Sequence, residues 1–102
     1  MRPPKSVKIG GVRYRVRQVN KIVHNGRAYA GEIDYRGTVI RLERAHMARS
    51  NAAMGTLLHE VFHGVAEDRG LNIPERQIGQ LARGFQEVVV NNGWTLRFGK
   101  GA

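Results

Sequence analysis

From Val7 onward the chain alternates. Val7 and Ile9 flank Lys8, and beyond Gly10-Gly11 the residues Val12, Tyr14 and Val16 alternate with Arg13, Arg15 and Arg17. A period of two puts successive side chains on opposite faces of a strand, so this stretch predicts a half-buried strand with one apolar and one guanidinium face. Asn25-Gly26 is a strong turn signal. Gly31, Ile33 and Tyr35 then alternate with Glu32, Asp34 and Arg36, which predicts a second half-buried strand. After a turn at Gly37, residues 38–42 predict the strand that pairs back, with Ile40 and Leu42 on one face. The first half therefore predicts an antiparallel meander of three or four strands.

The period changes after residue 50. Ser50 or Asn51 can cap a helix in which Met54, Leu57, Leu58, Val61, Phe62 and Val65 recur at helical spacing, ending near Gly70. Asn72-Ile73-Pro74 breaks the chain and opens a second helix, with Ile78, Leu81, Ala82, Phe85, Val88 and Val89 as its apolar stripe. Asn91-Asn92-Gly93 can end it through a left-handed cap. Gly79 and Gly84 weaken that helix by about 1 kcal/mol each relative to Ala and would allow close approach to the first helix. Residues 94–98 predict a last strand or a segment folded over the core. The expected class is α+β: a small sheet on two C-terminal helices, forming one domain over residues 7–102 behind a frayed basic tail, 1–6.

Composition narrows the chemistry. The chain has 102 residues and no cysteine, which excludes disulfides, thiolate metal sites and thiol nucleophiles. Any metal must be held by His, Asp or Glu. No apolar run reaches the roughly 18 residues of a membrane span, and no apolar stretch follows the N-terminus, so a cytoplasmic protein without a membrane partner is expected. The formal net charge is +9. Residues 1–50 carry 12 Lys and Arg against 3 acids, and the remainder carries 5 of each. A basic N-terminal half attracts an acidic protein partner or nucleic acid. With neither an RNP-like aromatic pattern nor a helix-turn-helix signature, specific nucleic-acid binding is the less favoured of the two.

The first helix contains His59-Glu60-Val61-Phe62-His63, an H-E-x-x-H sequence. Residues four apart lie one turn apart on one face, so both imidazoles can reach one ion. Two neutral imidazole nitrogens suit Zn²⁺. Glu60 turns about 100° away from His59; it can reach a water on the ion and act as its general base. A third ligand is required, and Glu75, Glu67, Asp68, His46 and His24 are the candidates. Glu75 is preferred. It heads the stripe Ile78, Ala82, Phe85, Val89, and a carboxylate there needs a partner.

The run Thr56-Leu57-Leu58-His59-Glu60-Val61-Phe62-His63-Gly64 resembles the active-site helix of small ImmA/IrrE-like zinc metallopeptidases, often encoded by phages and prophages. Upstream, Ile9 to Tyr14 and Gly31 to Tyr35 look like that group's opening strands, and Thr38 to Leu42 like its edge strand. Downstream, Glu75 to Asn92 looks like its closing helix. The resemblance spans residues 7–93. It implies a gluzincin-type site that hydrolyses peptide bonds, with one Zn²⁺ on His59, His63 and Glu75, Glu60 as base, and the substrate added as a strand along residues 38–42. Tyr35 and His46 are candidates for stabilising the transition state. The alternative is a non-catalytic basic binding module for nucleic acid or an acidic protein, with a structural or vestigial zinc site and Arg13, Arg15, Arg17 and Arg41 as its contacts.

Overall fold

The computed structural model of the protein describes residues 2–48 and 50–97. Six strands come first: β1 (Ser6–Ile9), β2 (Val12–Val19), β3 (Val23–His24), β4 (Arg27–Ala28), β5 (Gly31–Asp34) and β6 (Val39–Glu43). A short 3-10 helix, Arg44–Ala48, leads into α1 (Ser50–Asp68), followed by α2 (Glu75–Asn91). The arrangement is α+β, with an antiparallel-rich sheet followed by two helices. The sheet starts inside the stretch expected to fray. Ser6 pairs with Arg15, the Val16 amide donates to the Lys5 carbonyl at 2.9 Å, and Pro4 is buried.

The four-stranded sheet has the order β1-β2-β6-β5, which corrects the expected meander. β6 inserts between β2 and β5, parallel to β2 and antiparallel to β5. Composition explains the choice. Val39, Ile40 and Leu42 are all buried, and a strand this apolar belongs in the interior of a sheet. β5 carries Glu32 and Asp34, and charged residues suit an edge. The edges are therefore β1 and β5, and residues 38–42 form neither. β3 and β4 form a separate hairpin. Its turn, Asn25 and Gly26, has both φ values positive (53° and 77°), as a tight two-residue hairpin needs.

Alternation holds along β2 from residue 13. Tyr14 is buried, Val16 half-buried, and Arg13, Arg15 and Arg17 are exposed. Val12, expected on the apolar face, is exposed at the start of the strand. α1 covers the apolar face, and Leu57 joins Ile9, Tyr14, Ile40 and Leu42 in the core. The helix sits close because Gly64 has no side chain. A Cβ there would stand 2.5 Å from Ile9 Cδ1 and 3.2 Å from Ile33 Cδ1.

α2 packs on α1 as a third layer. A helix with one neighbour buries a narrow stripe, here Ile78, Ala82 and Val89. Leu81, Phe85 and Val88, expected in the core, are exposed, as is Val65 on α1. A Cβ on Gly79 would sit in ordinary contact with the His59 ring at 3.7 Å and one on Gly84 would meet open space, so neither glycine is needed for the helices to approach. Both helices end in Schellman motifs. Leu71 N donates to Ala66 O and Gly70 N to Glu67 O; Trp94 N donates to Val89 O and Gly93 N to Val90 O. Gly70 and Gly93 take positive φ. Residues 94–97 are irregular with Trp94 58% exposed, so they are neither strand nor core cover. Met1, Phe98 and the capping side chain of Ser50 lie outside the described residues.

Candidate metal centre

His59 and His63 project from the middle of α1, away from its contacts with the sheet core. Their ring centroids lie 4.9 Å apart, and their Nε2 atoms 3.2 Å apart. Glu75, the first residue of α2, closes the third side. One carboxylate oxygen is 2.7 Å from His59 Nε2 and the other 2.6 Å from His63 Nε2. The break at Asn72-Ile73-Pro74 turns the chain back and brings Glu75 over the motif. Pro74 accepts the amides of Gln77 and Ile78, so the helix starts one residue after it.

These atoms fit a metal ion. Each residue offers one ligand atom, and all three lie within 4.8 Å of one another. Nitrogens sharing a tetrahedral ion at about 2.0–2.1 Å stand about 3.3 Å apart, close to the spacing found here. Two imidazoles and one carboxylate leave a fourth position open. His59, His63 and Glu75 can hold a metal ion.

The remaining candidates go elsewhere. His24 pairs with Glu32, and His46 with Glu43 at 3.3 Å. Asp68 packs against the β1–β2 turn at Gly10. Glu67 is exposed, and among the described residues it does not join the three.

Glu60 is 6% exposed and lies between α1 and the edge strand. Burial, and then the negative charges of Glu75 and Glu32, push its carboxyl up to about 8. Three acids therefore crowd a cleft in a strongly basic protein, and that local field favours a cation. Gly31 of β5 makes the approach possible, since a Cβ there would stand 3.2 Å from Glu60 Oε2.

The cleft has two lobes. Tyr29, Gly31, His59, Glu60 and Glu75 line both. His46 and Arg83 line one, and His24, Arg27 and Tyr35 line the other. The Tyr35 hydroxyl donates to the His63 carbonyl at 3.3 Å, and burial raises its pKa. The places of Tyr29 and Arg27 were missed from sequence, and His24, a candidate ligand, lines the cleft without joining the three. Asn25-Gly26 announces a hairpin, but no local pattern says that the hairpin borders the motif helix.

Comparison with protein-family models, with curated proteins and with solved structures found no match for this chain.

Proposed function

We propose that the protein is a zinc-dependent metallopeptidase of the gluzincin type, as the resemblance of residues 56–64 to ImmA/IrrE-like enzymes implies. One observation carries this: His59, His63 and Glu75 converge while the Glu60 carboxyl is held alongside, buried. The donor set, two imidazoles and one carboxylate with no cysteine available, suits zinc with an open position.

When bound, the ion polarises a substrate carbonyl and acidifies water beside it. Everything else falls to the chain. Glu60, relieved of the Glu75 charge once the ion is held, ionises nearer neutral pH and takes a proton from the attacking water. The same carboxyl then passes that proton to the departing amine.

Peptide as substrate is supported by β5. It is one of the sheet's two edge strands, β1 being the other, and it borders the cleft through Gly31. An extended peptide can add to such an edge through main-chain hydrogen bonds. Arg27 and Arg83 line the cleft and would favour acidic side chains on the substrate.

The test couples metal content to turnover. Purified protein should hold one Zn²⁺ per chain and cleave members of a peptide library. His59→Ala should lose both metal and cleavage. Glu60→Gln should keep the metal and lose cleavage; persistent cleavage would refute the assignment of the base.

A further inference from the structure

The sheet has a second face, turned away from α1. Alternation and register decide what it carries. Lys8 of β1 stands opposite Arg13 of β2, so the two share this face, and Arg15 and Arg17 follow on β2. All four are exposed. On β6, Arg41 is opposite Arg17, but its guanidinium is taken by Glu32 at 3.0 Å and Asp34 at 3.3 Å. Arg41 is thereby removed from the contact set expected from sequence. Those two acids sit on β5, at the far edge, and both are occupied; the third acid of this face, Glu43 at the end of β6, lies opposite Val19 and pairs with His46 at 3.3 Å. Among the described residues, Lys8, Arg13, Arg15 and Arg17 form no ion pair; Arg13 donates to the Ser6 hydroxyl at 3.0 Å. Arg44, in the 3-10 helix beyond β6, is bonded to the neutral acceptors Asn20 Oδ1 and Gln18 O past the end of that row.

Folding does not require this arrangement. Like charges directly opposite on a sheet are destabilising, and Lys8 faces Arg13 without an acid between them. Alternate side chains on a strand stand about 6.5–7 Å apart, comparable to neighbouring phosphates along a nucleic-acid strand. Guanidinium groups bind phosphate through paired N–H donors. The chemistry of the face also discriminates between polyanions. No aromatic side chain lies on it among the described residues, so it lacks the stacking platform used for unpaired bases and the aromatic anchors common in protein interfaces; Val39, opposite Arg15, is buried. A duplex, with one charge per about 1.7 Å of axis, needs neither.

We infer that the outer sheet face formed by Lys8, Arg13, Arg15 and Arg17 docks the phosphate backbone of duplex nucleic acid without reading its sequence. The site lies on the opposite side of the sheet from α1 and does not depend on the metal centre.

The experiment is fluorescence anisotropy with a labelled 20-base-pair DNA duplex of arbitrary sequence, between 50 and 200 mM KCl. Neutralising four phosphates gives a log K against log salt slope of about −3 to −4 and an affinity loss on the order of 100-fold across that range. The triple variant Arg13→Gln/Arg15→Gln/Arg17→Gln should bring the slope to about −1, with its melting temperature kept because the side chains are exposed. Arg69→Gln/Arg76→Gln/Arg97→Gln removes the same charge from the helical half and should leave the slope nearly intact. Equal losses in the two triple variants would mean that net charge alone binds, and would overturn the inference. Tighter binding to single-stranded DNA, or to poly-glutamate with the same dependence on Arg13, Arg15 and Arg17, would overturn it as well.

Discussion

Gly31 and Glu60 meet where the edge strand β5 passes α1. A Cβ on Gly31 would stand 3.2 Å from Glu60 Oε2 and 2.7 Å from Thr56 Cγ2. The missing side chain lets the edge strand cover the carboxylate and keep it dry. The burial that raises the Glu60 pKa therefore depends on a residue 29 positions earlier in the chain.

Gly31→Ala should overpack this seam. The expected cost is about 1–3 kcal/mol, read as a lower midpoint in urea unfolding. Glu60 should be displaced with it, so peptide turnover should fall further than stability does. A variant as stable and active as the parent would mean that the seam is looser than these distances indicate.

Glu75, nominated from sequence, stands where it can close the metal site with His59 and His63. Glu75→Ala should weaken metal binding on the order of 100-fold, measured by competition with a chromophoric chelator, and His63→Ala at least as much. Metal at about 100 times its dissociation constant should stabilise the parent by about 2.7 kcal/mol, and a chelator should reverse the gain. Unchanged affinity in Glu75→Ala would move the third ligand to another acid.

Metal-free protein should lose stability as pH rises. The Glu60 carboxyl titrates near 8 in the folded chain against an ordinary 4.5. Between those values the folded state keeps a proton that the unfolded chain has released, so the contribution is full below about 4.5 and gone above about 8. The loss should be on the order of 4 kcal/mol between pH 5 and pH 8. Glu60→Gln should flatten it, as seen by comparing urea unfolding at the two pH values. An equal slope in parent and variant would assign the pH dependence to other groups.

Gly64 sets how deeply α1 beds into the sheet. Gly64→Ala gains up to about 1 kcal/mol of helix propensity but collides with Ile9 and Ile33, so a net loss of about 1 kcal/mol is expected. Gly64→Val should cost clearly more. Chemical denaturation of both variants tests the order, and a stabilised Val variant would contradict the packing.

Period and spacing alone determined the elements of this protein. Tyr14 goes in and Arg15 goes out because a pleated strand allows nothing else. Gly70 and Gly93 end helices because only a left-handed residue closes those caps cheaply, and His59 and His63 share a face because 3.6 residues make a turn. Tertiary structure decided the neighbours. The same alternation serves an interior strand or an edge, so the exchange of β6 and β5, and with it the identity of the edge beside the cleft, rested on burying Val39, Ile40 and Leu42 together. Leu81, Phe85 and Val88 read as core until α2 proved to have a single packing partner. The burial of Glu60, the reach of Glu75 to both imidazoles and the saturation of Arg41 by Glu32 and Asp34 are contacts between residues distant in sequence. Local sterics write the elements into the chain; the competition among faces for limited apolar cover is settled only when the whole chain collapses.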